Sequence, residues 1–156
     1  MIGKGKSISH GTAALEYDLA KEIDGQTAAI EIARHELYGC TGAEMVQEMK
    51  PYHADFPNVK NNCLRFEVSP SIEESATFTD ADWAELGNDF MQRMGLANHQ
   101  YIIIRHSGTE SKKEQAHLHI LANRVSLSGE LYRDNWIGKK ATEAANAIAK
   151  ERNFVQ

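Results

Sequence analysis

Alternating apolar and polar positions predict four β-strands along this chain. Residues 100–106 and 117–125 are rich in Ile, Val, Leu and Tyr, and residues 63–69 alternate before Pro70. Proline cannot donate to a sheet ladder, so the strand over 63–69 is expected to end there. Residues 4–10 alternate more weakly and predict a short first strand.

Apolar positions spaced by three or four residues predict helices in the first third of the chain. Thr12 is a residue type that caps helices, and residues 13–21 after it are good helix formers. Residues 26–38 place their apolar side chains at a helical period. Residues 41–50 form another helical segment, which Pro51 is expected to close.

Two further helices are predicted in the second half of the chain. Thr79 is a strong capping residue before a helix that carries one apolar stripe and ends at Gly95, and residues 139–152 repeat alanine and isoleucine at a helical period. Strands and helices therefore mix without strict βαβ alternation. This favours an α+β fold, with a central antiparallel β-sheet and flanking helices, in a single domain over residues 1–156.

Length and composition fit one folded domain. The chain has 156 residues and a mass of 17.4 kDa, with 42% hydrophobic and 25% charged residues. No apolar stretch approaches the ~20 residues that a membrane helix needs, and no apolar segment of a secretory signal follows the first lysines. Cys40 and Cys63 form no CxxC pair. We therefore expect a cytoplasmic protein with no membrane partner.

The net charge of −5, from 17 basic and 22 acidic residues, gives the surface as a whole no attraction for nucleic acid. A local basic face would suffice for DNA binding. Basic residues that could form a track for single-stranded DNA beside the predicted sheet are Lys4, Lys6, Arg65, Arg105, Arg124 and Arg133.

Three of the seven histidines lie within fourteen positions, on the two most apolar predicted strands. His117 and His119 are two residues apart, so their side chains share one face of a strand. If residues 107–116 close a hairpin, His106 lies roughly opposite His117 and on the same face. The simplest register thus brings all three imidazoles together.

Three imidazoles on one sheet face are suited to a divalent cation. They would hold three coordination positions and leave others for water or substrate, as in catalytic metal sites. Imidazole by itself does not identify the metal. The alternative is that these histidines are structural, with each ring hydrogen-bonded in a half-buried sheet.

The histidine segment, YIIIRHSGTESKKEQAHLHILANRV, resembles the metal motif of relaxases, the mobilization endonucleases of the HUH superfamily. The N-terminal MIGKGKSISHGTAALEYDLAKE is similar to the opening of relaxases from plasmids and mobilizable elements, and LRFEVSPSIEESATFT to their middle region. The three blocks occur in the expected order. The chain therefore looks like an N-terminal relaxase domain, a piece of a longer protein.

The resemblance implies a specific chemistry. Relaxases nick one strand at an origin of transfer when a tyrosine attacks the scissile phosphate, which leaves a 5′-phosphotyrosine and a free 3′-OH. Tyr17 best matches that nucleophile, and His106, His117 and His119 match the ligands of Mg²⁺ or Mn²⁺. The implied partners are single-stranded or locally melted origin DNA and accessory mobilization proteins.

Residues that assist the metal ligands are implied less directly. Many relatives carry an aspartate shortly after the first histidine, where this chain has Thr109 and Glu110, so either would have to orient a ligand ring. Asn123 fits the end of the motif, and its other interpretation is a hydrogen-bonding residue at a strand end. Glu67 is a further candidate of this kind, although an exposed strand position is the simpler interpretation.

Two other functions remain open from the sequence. One is a metal hydrolase or oxygenase that uses three histidines on a small molecule, in which case Tyr17 would matter little. The other is a module that binds nucleic acid or protein without catalysis, in which the histidines are structural and no metal binds.

Overall fold

The computed structural model describes residues 1–23, 25–107 and 115–154. The strands are β1 (Ile2–Ile8), β2 (Glu22–Ile23), β3 (Gln26–Thr27), β4 (Ala29–His35), β5 (Cys63–Ser69), β6 (Tyr101–His106) and β7 (His117–Asn123). The helices are α1 (Gly11–Leu19), α2 (Gly42–Met49), α3 (Ile72–Ser75), α4 (Asp80–Arg93) and α5 (Ile137–Glu151), with a 3₁₀ turn at Lys50–His53.

Five strands form one antiparallel sheet in the order β1-β5-β7-β6-β4, and helices pack on both of its faces. This confirms the predicted α+β class. On one face, helices α4 and α5 cover a core that includes Phe66, Ile103 and Ile120. On the other face, α1 and α2 cover a smaller core around Leu15 and Ile102.

The second face is covered only in part. Leu121 and Ile104 are buried beneath α1 and α2, whereas Lys4 is exposed and Glu67 and His117 are half-buried on the same face. Directly opposed residues in antiparallel strands share a face, and the register aligns Lys4 with Glu67 and Glu67 with His119. An open surface of polar side chains therefore lies beside the helices.

The helix predicted over 26–38 is wrong, because this segment forms β3 and β4. Strand β4 pairs with β6 and carries a bulge between Glu31 and Ala33. A bulge adds one residue to one strand, so the alternation of apolar positions shifts there. Ala29 consequently packs on one face of the sheet and Ala33 on the other, which imitates a helical period.

The structure confirms the predicted start of α4 but not that of α1. Thr79 caps α4 as expected, and Thr41, predicted only as the first residue of its helix, caps α2; each hydroxyl accepts a hydrogen bond from the backbone three residues ahead. Helix α1 instead begins one residue before Thr12, with His10 at the cap position and no side-chain cap bond. Pro51 does not end the helical segment, because the chain continues into the 3₁₀ turn.

No helix in the described part of the chain is long and apolar enough to cross a membrane.

Helix α5 packs on β1 through glycine. A methyl group added at Gly3 would lie 2.8 Å from Ala145 Cβ and even closer to the Ala141 carbonyl oxygen. Real carbon atoms do not approach so closely, so the helix would have to move away from the strand. At Gly138, in the first turn of α5, an added methyl would meet only the Gly5 carbonyl oxygen, at 3.7 Å.

We predict that Gly3→Ala lowers the free energy of unfolding by about 1–3 kcal/mol, the usual cost of overpacking. Gly138→Ala is the matched control at the same interface and should leave stability unchanged or raise it, because alanine favours helix. Urea denaturation of both variants measures the difference. Equal stability of the two would contradict the close packing of α5 on β1.

Candidate functional site

The predicted histidine cluster is present in the fold. His106 of β6 is paired directly with His117 of β7, which confirms the expected register, and His119 lies on the same face. Each histidine offers one ring nitrogen, and the three nitrogens lie within 4.8 Å of one another. The Nε2 atoms of His117 and His119 are 3.1 Å apart. This spacing matches a group of ligands around one small ion.

Hydrogen bonds away from the cluster fix two of the rings. His117 Nδ1 lies 3.0 Å from the Gln115 carbonyl oxygen, and His106 Nε2 lies 2.8 Å from the Asp18 carbonyl oxygen. A carbonyl oxygen only accepts, so these two nitrogens carry the protons. The lone pairs are then on His117 Nε2 and His106 Nδ1. Metal-binding histidines in proteins commonly have their second nitrogen bonded in this way.

Burial keeps two of the three rings, His106 and His119, uncharged. It is the largest cause that lowers the pKa of His119 to about 2, and the neighbouring His106 and His117 add to it. Burial also lowers the pKa of His106, which is 2% exposed. At neutral pH both rings are therefore neutral, which is the form that binds metal.

Asp18 connects helix α1 to this cluster, and sequence reasoning missed it. Its carboxylate is 1% exposed, forms an ion pair with Arg65 at 2.5 Å and lies 4.0 Å from His119 Nδ1. Its backbone carbonyl oxygen accepts the bond from His106. The signal was hidden because Arg65 is 47 positions away, and only the fold brings the two side chains together.

Tyr17 faces the cluster across a cavity. It precedes Asp18 on α1, and its hydroxyl oxygen lies 3.4 Å from Lys21 Nζ. The cavity has a volume of about 560 Å³. It is lined by Ile2, Tyr17, Lys21, Glu67, Ser69, His106, Ser107, Gln115, His117 and His119. Tyr17 and the three histidines thus line one cavity, and the Lys21 ammonium group lies beside the Tyr17 hydroxyl.

A second, smaller cavity of about 210 Å³ continues from the first across β5 and β1. It is lined by Lys4, Gly5, Lys6, Arg65, Phe66, Glu67 and His119. Glu67 and His119 belong to both cavities. Three of the predicted DNA-binding residues, Lys4, Lys6 and Arg65, therefore line one cavity with His119, although Arg65 is held by Asp18.

The structure separates other predicted residues from the cluster. Arg105 lies on the opposite face of the sheet and pairs with Asp80 at 2.9 Å. Arg124 follows the end of β7, where it bonds the Tyr132 carbonyl oxygen and pairs with Asp134. Thr109 and Glu110 lie outside the described residues.

Asn123 is at the other end of β7 from His117. It is fully buried, and its side chain bonds Gln100, the Met49 carbonyl oxygen, His53 and the Val125 backbone N–H. These contacts join β7 to the segment after α2. They fit the simpler interpretation of Asn123 as a hydrogen-bonding residue at a strand end.

Residues 17–154 match the family model described as Relaxase: MobA/VirD2-like, nuclease domain. The match begins at Tyr17, contains all three histidines and covers most of the chain. No curated protein and no solved structure gave a significant match.

We predict that Asn123→Ala lowers the free energy of unfolding by about 1–3 kcal/mol or more, because several buried partners lose their hydrogen bonds. Asn98→Ala is the matched control, since Asn98 is exposed and its side chain bonds Ser128. Thermal denaturation measures both, and the ring signals of His117 and His119 in NMR spectra should stay unchanged. Altered ring signals in Asn123→Ala would instead connect Asn123 to the cluster.

Proposed function

Because this chain belongs to the MobA/VirD2-like relaxase nuclease family, we propose that it nicks one strand of origin-of-transfer DNA through a covalent 5′-phosphotyrosine at Tyr17. Family membership supports DNA nicking in general. The observation that carries the finer proposal is the cavity that Tyr17 shares with His106, His117 and His119. Because Tyr17 and the three histidines line this one cavity, we propose that the scissile phosphate binds in it.

The three histidines fit a divalent cation. Their ring nitrogens converge within 4.8 Å, two of the rings are bonded through the other nitrogen, and burial keeps His106 and His119 neutral. A bound Mg²⁺ or Mn²⁺ would polarise a non-bridging oxygen of the scissile phosphate. We propose one of these two ions on the basis of the family, since imidazole alone would also accept other metals.

The reaction is a transesterification that the chain's own side chains set up. The Tyr17 oxygen forms a bond to phosphorus, the bond to the 3′ oxygen breaks, and the strand end leaves as a 3′-OH after it takes a proton. The phenol proton passes to solvent, which reaches Tyr17 because its side chain is 61% exposed. The Lys21 ammonium stabilises negative charge on the attacking oxygen. The ester bond is retained in the adduct, so attack by a 3′-OH can rejoin the strand.

The substrate strand is proposed to be single-stranded or locally melted. Lys4 and Lys6 line a cavity with His119 on the open sheet face, where they can neutralise phosphates of a strand bound there. The chain as a whole carries −5, so binding depends on this local surface and weakens with salt. We further propose that accessory mobilization proteins deliver the DNA and that the reaction takes place in the cytoplasm.

We predict that Tyr17→Phe abolishes the protein–DNA adduct, a loss of about 1,000-fold or more, because the nucleophilic oxygen is gone. Labelled single-stranded origin DNA with Mn²⁺, analysed on a denaturing gel, measures the adduct. Tyr38→Phe is the matched control, since Tyr38 is also well exposed but lies outside the cavity. An adduct that persists in Tyr17→Phe would show that another residue is the nucleophile. Cleavage of the DNA without any adduct, and at the same rate in Tyr17→Phe, would favour a metal hydrolase.

We also predict that the domain binds one Mn²⁺ and that His119→Ala weakens this binding at least about tenfold, because one of three ligands is lost. Titration calorimetry measures the affinity without DNA. His10→Gln is the matched control, because His10 is exposed and lies outside the cluster. The absence of both metal binding and adduct in the wild type would favour a binding module with structural histidines.

A further inference from the structure

Trp136 stands out on the surface of this protein. Its side chain is 78% exposed, whereas the other tryptophan, Trp83, is 2% exposed in the core. Its backbone is left-handed, with φ 60° and ψ 28°, at the cap position of α5, and it forms no side-chain cap bond. Large side chains rarely adopt this conformation, because it costs free energy. Local structure does not explain a tryptophan here, which points to a binding role.

Trp136 lies next to the edge strand that carries Lys4 and Lys6. The first turn of α5 rests on β1 at Gly5, since a methyl group added at Gly138 would lie 3.7 Å from the Gly5 carbonyl oxygen. Just before the helix, Asp134 accepts a hydrogen bond from the Ser7 hydroxyl of the same strand. The segment that carries Trp136 is thus anchored to β1 on both sides, at the edge strand whose opposite face carries the two lysines.

The surface around Trp136 has positive side chains. Trp136, Lys139, Lys140 and Glu143 line a shallow cavity of about 270 Å³. Glu143 lies 4.0 Å from Lys139 and offsets part of its charge. Among the described residues, no ion pair joins Lys4, Lys6 or Lys140 to an acidic side chain, and Lys140 Nζ lies 5.5 Å from the centre of the Tyr132 ring. Their charges are available to phosphates, in a chain that is otherwise negative.

From these observations we propose that Trp136 stacks on an unpaired base of single-stranded DNA that leaves the histidine cluster across β1. This proposal rests on the proposed function and extends it by naming a second contact with the strand. Aromatic rings bind bases of any sequence through their faces, while lysines hold the backbone between them. The path runs from His119 past Lys4 and Lys6, which line one cavity with it, and then over the edge strand β1 to Trp136, at the start of the helix that packs on the other face of that strand.

Tryptophan fluorescence tests the proposal directly, because one tryptophan is exposed and the other is in the core. The full chain, with EDTA present to prevent cleavage, is titrated with a single-stranded thymidine oligonucleotide of about 20 nucleotides, longer than a typical single-strand site. We expect the emission to be quenched as DNA binds and to recover with added salt. A duplex of the same length should quench less, because its bases are already stacked.

Trp136→Asn separates binding from folding, since asparagine tolerates left-handed backbone. Its affinity for the oligonucleotide, measured by anisotropy of a labelled strand, should fall about tenfold, within the range for loss of one stacking aromatic. Its melting temperature should stay equal or rise, because a strained bulky residue is removed. Tyr38→Ala is the matched control, as Tyr38 is 75% exposed near the opposite edge strand, and it should bind DNA normally.

Three results would overturn the proposal. They are unquenched emission in a protein that binds the strand, equal quenching in Trp136→Asn, and quenching that follows protein concentration without DNA, which would indicate contact between copies.

The adduct assay distinguishes a failure of this proposal from a failure of the proposed function. If wild type and Trp136→Asn both form the Tyr17 adduct but DNA leaves the emission unchanged, only the stacking site is wrong. If quenching occurs without any adduct, the proposed nicking is wrong and the DNA contact remains.

Discussion

The antiparallel pairing of β5, β7 and β6 is the constraint on which the site depends. It sets His106 opposite His117 and Glu67 opposite His119, and all four side chains then share one face of the sheet. A shift of one residue in either register would send a histidine to the opposite face, among the core residues under α4 and α5. Large apolar side chains on the opposite face, such as Ile103 and Ile120, hold the register because they must stay buried.

Asp18 connects helix α1 to the paired strands and their histidines. Its carbonyl oxygen binds His106, and its carboxylate pairs with Arg65 of β5 and approaches His119. Since Asp18 directly follows Tyr17, the position of the tyrosine relative to the imidazoles is set by these contacts. A buried carboxylate needs such partners to remain charged. Tyr17 itself stays exposed on α1.

The unequal cover on the two sheet faces explains where ligands can bind. Helices α4 and α5 cover one face, whereas α1 and α2 leave part of the other face open beside β1 and β5. The open part gathers Lys4 and Lys6 near the histidines, and α5 brings Trp136 to the same edge of the sheet. Glycines in β1 make this possible, because α5 packs against the strand where any side chain would intrude.

The sequence by itself determined the parts that depend on local patterning. Alternation predicted β5, β6 and β7, the capping residue Thr79 predicted α4, and the spacing of His117 and His119 with the simplest hairpin predicted the cluster. The prediction from the sequence was wrong at β4, because a bulge there gives the apolar residues a helical spacing. Such a bulge is defined only by the pairing with the partner strand. The tertiary structure alone decided which distant charges meet. Asp18 forms an ion pair with Arg65, whereas Arg105 and Arg124 pair with acidic residues away from the histidines. Such ion pairs join residues that are distant in sequence, so no periodic pattern of residues predicts them.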